Sequence, residues 1–192
     1  MRKTASGKPS QAFQIKATIK GIRPPIWRRF LIRSDMTLGE LHDALQCLMY
    51  WYDDHLHQFT IGGVSFTSDE SDTLDIMEAE DESRYRVDQV LTGVGEKFLY
   101  EYDFGDGWEV ELNVEKCLPV EPERTYPYCL KGKRAAPPED CGGIPGYCSL
   151  LDNLARPGTP EYDEAVDWLG GEPVDFEEFD IEAVSSCLSG LR

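Results

Sequence analysis

A chain of 192 residues with 41% hydrophobic residues is long and apolar enough for one domain with a proper core. Its net charge of −17 disfavours nucleic acid as a partner, because non-specific affinity for phosphates comes from Lys and Arg. No apolar run approaches the roughly 18 residues of a membrane span, and Met1 to Ser10 lacks the apolar stretch of a secretory signal. The expectation is a cytoplasmic protein with a disordered tail over residues 1–11 and a single domain over 12–192.

The charge is uneven. Residues 1–34 carry nine Lys or Arg and no acid, so the rest of the chain has a balance of −26. Basic early strands lying beside acidic later ones account for this more simply than a nucleic-acid arm. Phe13, Ile15, Ala17 and Ile19 alternate with polar residues as a half-buried strand does. Pro24-Pro25 breaks it, and Ile26 to Arg33 resumes β character to close a first hairpin. Arg28, Arg29 and Arg33 are then placed to meet an acidic face. Thr37-Leu38-Gly39-Glu40 is a capping box, and Leu38, Leu41, Leu45 and Leu48 recur at helical spacing, so residues 38–50 form an amphipathic helix. His42 lies on its flank.

His55 to Ile61 alternates as a third strand, with Val64 to Phe66 a short partner. Residues 67–83 are acid-rich and weakly patterned, as a mobile loop is; Tyr85 to Leu91 holds a short segment. Two alternating runs then flank Gly105-Asp106-Gly107, the mark of a hairpin. A three-residue loop pairs Phe104 with Trp108, Tyr102 with Val110 and Tyr100 with Leu112, leaving Asp103, Glu109, Glu101 and Glu111 on the other face. Residues 117–145 are dense in Pro and Gly, and the spacing predicts a loop with no regular element. Helices follow over 146–155 and from Thr159-Pro160-Glu161 to Leu169, and Phe176, Phe179, Ile181, Val184 and Leu188 mark a last one that ends near Gly190.

The fold class that results is α+β: a curved, mainly antiparallel sheet from two β-hairpins and a central strand. One capped helix packs on it, and C-terminal helices over 146–192 cover the core. Cys47 and Cys187 fall in helical patterns, where small apolar filler is the expected role, since nothing indicates an oxidising compartment.

Several residues could carry chemistry. His55 and His57, two apart on a strand, present both rings to one face and suit a metal. Asp103 and Asp106 near the hairpin tip could complete that site, with Glu109 beside them. Cys129 and Cys141 are zinc-compatible, but they lack the close C-x2-C pairing of structural zinc sites. Asp103-Phe104-Gly105 spells the kinase metal-binding triplet without the lysine, catalytic loop or phosphate loop that would give it meaning.

Five ordered motifs resemble a known family: Ile22-Arg23-Pro24-Pro25-Ile26-Trp27-Arg28-Arg29; Thr37-Leu38 with Leu41-His42; His55-Leu56-His57 with Phe59; Tyr102-Asp103-Phe104-Gly105-Asp106 with Trp108; and Pro137-Pro138-Glu139-Asp140-Cys141-Gly142-Gly143 with Gly146-Tyr147. Over residues 12–185 the chain resembles the plasmid pRiA4b ORF-3-like family, some of whose members are labelled transposon-passenger or resolvase proteins. The resemblance implies one α+β domain of unestablished activity. A serine resolvase needs a nucleophilic Ser among arginines and a helix-turn-helix, and neither pattern occurs. Family members often carry Cys before Pro-Pro-Glu-Asp-Cys where this chain has Ala136, which weakens a zinc or disulfide site there. Among the recurrent polar positions, His42, His55, Asp103, Asp106, Glu139 and Asp140 are the hardest to explain by packing.

Two functions of different class follow. The first is a non-enzymatic interaction module, possible in a mobile-element setting, that holds a basic protein on its acidic surface and Pro-rich loop. The second is a metal-dependent hydrolase or nuclease-like enzyme using His55, His57, Asp103 and Asp106. DNA binding through the basic first hairpin ranks third. Cofactor and oligomeric state are not indicated.

Overall fold

The computed structural model describes residues 11–68, 78–172 and 174–191. The expected tail lies outside the described residues except for Gln11, which already opens the first strand. The strands are β1 (Gln11–Ile19), β2 (Trp27–Arg33), β3 (His57–Ile61), β4 (Val64–Thr67), β5 (Glu80–Asp81), β6 (Lys97–Tyr102), β7 (Trp108–Pro119) and β8 (Tyr128–Lys133). The helices are α1 (Leu38–Met49), α2 (Val87–Val90), α3 (Gly143–Leu154), α4 (Pro160–Trp168) and α5 (Ile181–Gly190). Among the described residues the strands form one open sheet, ordered β5-β4-β3-β6-β7-β1-β2-β8, antiparallel except where β4 meets β5. The fold is therefore α+β.

Alternation decides the buried face. Phe13, Ile15, Ala17 and Ile19 of β1, Phe30 and Ile32 of β2, and Tyr100, Tyr102, Trp108, Val110 and Leu112 of the central hairpin are all buried. Each such side chain contributes about 1.5–3 kcal/mol. On that face lies α1, with its capping box formed as expected: the Glu40 amide donates to Thr37 Oγ1 at 3.1 Å and the Thr37 amide to Glu40 Oε2 at 2.7 Å. A register shift at Gln14/Ile15, where β1 crosses β7, adds twist and curvature.

The central hairpin keeps the expected faces but not the expected register. Tyr102 pairs with Trp108, Tyr100 with Val110 and Glu101 with Glu109, so the loop runs over five residues rather than three. The cause is Asp103. It takes a left-handed turn at φ 53°, and its Oδ1 accepts from the Gly105 and Asp106 amides at 3.0 and 3.2 Å. The Gly107 amide closes back on Asp103 O at 2.6 Å. Phe104 leaves the ladder and faces solvent. A shift of two residues preserves side-chain parity, so burial cannot tell the two loops apart.

Residues 117–145 are not free of regular structure, contrary to the expected loop. The strand β7 continues to Pro119, and β8 pairs with β2 at the sheet edge. An edge strand needs only one partner, so flanking prolines are tolerated. Gly132 within β8 is required by packing, because a Cβ there would lie 2.5 Å from the Phe179 ring. The helix expected from residue 146 starts at Gly143, with Pro145 in its first turn, where no amide is needed. Part of the expected mobile loop, 69–77, lies outside the described residues. Glu80–Asp81 forms β5 and Glu82–Arg84 a single 3-10 turn, so the acid-rich segment ends in regular structure.

The basic strands answer the acidic ones only in part. Arg29 Nε and Nη2 grip Glu115 at 2.6 and 2.8 Å, and Lys20 pairs with Glu109. Arg33 instead pairs locally with Asp35. Arg28 points into the core, fully buried, because it sits on the same face as Phe30 and Ile32. Its guanidinium donates to the carbonyls of Leu48 (2.8 Å), Trp27 (3.0 Å) and Lys133 (3.1 Å) and lies over the Phe179 ring. Burial pulls its pKa down to about 10, while the C-terminal carbonyls of α1 favour its charge.

The Arg29 clamp and the Gln14 amide hold the Glu115 carboxyl below its ordinary pKa. That stabilisation is present above the ordinary carboxylate pKa and disappears as pH falls through the depressed value. We expect Glu115→Gln to cost about 1 kcal/mol at neutral pH. Urea unfolding should show this difference closing in acid; an equal difference at both pH values would rule the clamp out.

Cys47 and Cys187 are not separate apolar fillers. Their Cα atoms are 5.6 Å apart and their sulfurs are bonded, which staples α5 to α1. Both cysteines were legible as helix residues, but their proximity depends on how α5 packs back across the fold.

Candidate functional site

The His55, Tyr102–Trp108 and Pro137–Tyr147 motifs meet at one end of the sheet. There α1 ends at Tyr50 in a left-handed cap (φ 59°), and the Trp51 amide turns back to Gln46 O at 3.0 Å. This brings Trp51 onto Tyr102, with rings stacked 4.8 Å apart. The Pro137–Gly146 segment packs over the same place. Trp51 Nε1 donates to Pro137 O at 3.0 Å, and the Tyr52 amide donates to Glu139 Oε2 at 2.8 Å. Tyr102 Oη donates to the other Glu139 oxygen, and burial with that contact pushes the phenol pKa upward. The Gly142 amide donates to Asp106 Oδ2 at 3.1 Å. At Gly143 (φ 64°) a Cβ would overlap the Asp106 carbonyl, so only glycine allows this approach.

That docking assembles a first cluster from His55, Asp103 and Asp140, whose ligand atoms lie within 4.8 Å of one another. His55 Nε2 sits 3.3 Å from Asp140 Oδ1 and 3.7 Å from Asp103 Oδ2. Although that nitrogen atom is shielded from solvent, it makes no hydrogen bond. The two amides on Asp103 Oδ1 leave Oδ2 turned toward the imidazole. Asp140, itself left-handed at φ 57°, is largely exposed.

A second cluster is built around His42, which is buried on the flank of α1 and hydrogen-bonded through both ring nitrogens. Gln46 Nε2 donates to Tyr100 Oη at 2.8 Å, so the phenol proton points to His42 Nδ1, also at 2.8 Å. His42 Nε2–H then faces Asp53 Oδ1 at 2.8 Å, a tautomer assigned from this network. That hydrogen bond lowers the Asp53 pKa. His57 stacks on His42 with centroids 3.6 Å apart, and its Nε2 meets Glu82 Oε2 at 2.8 Å. A cleft of about 350 Å³ opens before this second cluster and reaches His55 of the first, lined by His42, Asp53, His57 and Glu82 among others. Asp43 also faces it, with its carboxyl pushed up by burial.

The expected His55–His57–Asp103–Asp106 set is therefore divided. His55 precedes β3, and turns to the hairpin tip with Asp103; His57 opens the strand and joins His42. Asp106 is occupied by the Gly142 amide and Glu109 by Lys20. Glu139 holds the loop to Tyr102 and Tyr52. Among the described residues neither Cys129 nor Cys141 joins a metal-competent cluster. Burial raises their thiol pKa values to about 11 and about 12, away from the thiolate a metal needs. Sequence reasoning missed Asp53, Glu82 and Tyr100. Tyr100 was visible as a polar tip on a core strand; Asp53 and Glu82 gave no signal, because their partners lie on other elements.

Fold and site together define a mixed α+β protein whose open antiparallel sheet carries two histidine–carboxylate clusters at one end. The chain belongs to the plasmid pRiA4b ORF-3-like protein family, which matches residues 11–185. It is 31% identical over 179 residues to an uncharacterized protein, y4hQ, of Sinorhizobium fredii, covering 93% of this chain and 91% of that one. It also resembles the crystal structure of a protein of unknown function, MM3350, from Methanosarcina mazei. That likeness has a TM-score of 0.82 at 37% identity and covers 93% of this chain and 99% of the other. Among the described residues no helix is long and apolar enough to cross a membrane.

Proposed function

We propose that this protein is a metal-dependent hydrolase whose divalent cation is held by His55 Nε2, Asp103 Oδ2 and Asp140 Oδ1. One observation carries the reading: a solvent-shielded imidazole nitrogen lies without a hydrogen bond between two carboxylate oxygens at 3.3 and 3.7 Å. Donors bonded at about 2 Å to one ion have mutual spacings of this order. Three protein ligands with one exposed carboxylate leave positions for water and substrate, as catalytic metal sites require. A cation there would lower the pKa of its water and polarise a carbonyl or phosphoryl oxygen. The net charge of −17 repels polyanions, so the substrate class that fits is neutral or cationic rather than nucleic acid.

The interaction-module reading draws on the same charge, but the Pro137–Gly146 loop it would use is engaged within the fold. A pull-down with a polycationic peptide at low and physiological salt addresses it; no capture at either salt counts against it. For the hydrolase, chelator-stripped protein should take up Zn²⁺ or Mn²⁺ and gain activity on neutral ester or amide substrates. Asp103→Asn should weaken binding at this site by more than about tenfold, since losing even an outer-shell partner costs about 10–100-fold. Undiminished uptake by Asp103→Asn would sink the reading.

A further inference from the structure

We infer that the stacked pair His42–His57, with Asp53 and Glu82, is a second and independent binding site for a divalent cation of the zinc class. The inference goes beyond the hydrolase reading and does not depend on occupancy of its site. Three donors, His42, Asp53 and His57, already lie within 4.8 Å of one another, and turning one ring out of the parallel stack aims its in-plane lone pair at an ion shared with the other two. Two imidazoles and carboxylates suit zinc and neighbouring transition ions better than magnesium or calcium.

The buried Glu82 beside the pair is a second, separate observation. Glu82 is only 4% exposed, and its carboxylate meets His57 Nε2 at 2.8 Å; Asp53 contacts His42. Glu82 is a carboxylate taken out of water, which is costly without a positive charge close by. One divalent ion held by the neighbouring imidazoles would supply that charge beside Glu82. It would displace the His42 Nε2 proton, while Tyr100 Oη remains beside Nδ1 to orient the ring from the outer shell. Asp53, half exposed, leaves the ion open to the cleft that His55 also lines.

The test is metal stoichiometry on the purified full chain, stripped with chelator, equilibrated with Zn²⁺ and read by inductively coupled plasma mass spectrometry. Two ions per chain are expected for the wild type, and one each for Asp103→Asn and His57→Asn. Asp53→Asn retains an oxygen acceptor for His42 and guards against misfolding. Calorimetric titration of that variant should show the second site weakened at least about tenfold while the first is unchanged. One ion in the wild type, lost in Asp103→Asn and kept in His57→Asn and Asp53→Asn, overturns this inference and spares the hydrolase reading. One ion lost in His57→Asn and kept in Asp103→Asn does the reverse. No uptake at all overturns both.

Discussion

Reducing the Cys47–Cys187 bond, or replacing Cys187 with Ser, should lower stability by about 4–5 kcal/mol. The bond joins residues 140 apart in sequence, so it removes a very large loop-closure entropy from the unfolded chain. The chain-entropy estimate is about 4.7 kcal/mol for a loop of ~100 residues and grows only slowly beyond that. In the folded state the bond ties α5 to α1, the helix that carries His42 and Gln46. Such a bond persists in oxidising surroundings and opens in a reducing cytosol, so one protein has two stabilities according to compartment. Urea midpoints of oxidised and reduced protein should separate accordingly, with Cys187→Ser matching the reduced form. Coincident midpoints would show that the staple contributes nothing.

Gly143→Ala is the second large change. Its φ of 64° is left-handed, which costs a side-chain residue about 1–2 kcal/mol. Its Cβ would also overlap the Asp106 carbonyl, and overpacking adds about 1–3 kcal/mol. A total of about 2–5 kcal/mol is expected, relieved by lifting the Pro137–Gly146 segment off the hairpin tip. That movement carries Asp140 away from His55 while leaving His42, His57, Asp53 and Glu82 in place. The variant should therefore lose zinc from the His55–Asp103–Asp140 site and keep it at the stacked pair, with the sheet intact by circular dichroism. Wild-type stability and wild-type uptake together would refute the docking argument. Loss of both ions would show the two clusters to be one cooperative unit.

Much of this layout is written locally. Alternation identified the buried faces of β1, β6 and β7, and the Thr37–Glu40 box and Thr159-Pro160 marked two helix starts, because each depends on residues within one turn or one pleat. The hairpin shows where local reasoning ends. Parity settled which side of the ribbon is apolar, but loop length turned on the left-handed conformation of Asp103 and on amide contacts at the tip. The edge strand β8 was hidden by flanking Pro residues, since its stability comes from β2 and not from its own pattern.

The chain's own residues determined that it would be an acidic α+β protein with His55, Asp103 and Asp140 among its chemically notable positions. Only the tertiary structure decided that these three converge, that His57 leaves them for His42, and that Asp53, Glu82 and the Cys47–Cys187 bond matter. The physical reason is range. Pleat, cap and turn preferences act over a few neighbouring residues, whereas a cluster of polar donors is fixed by which distant surfaces the apolar core forces together.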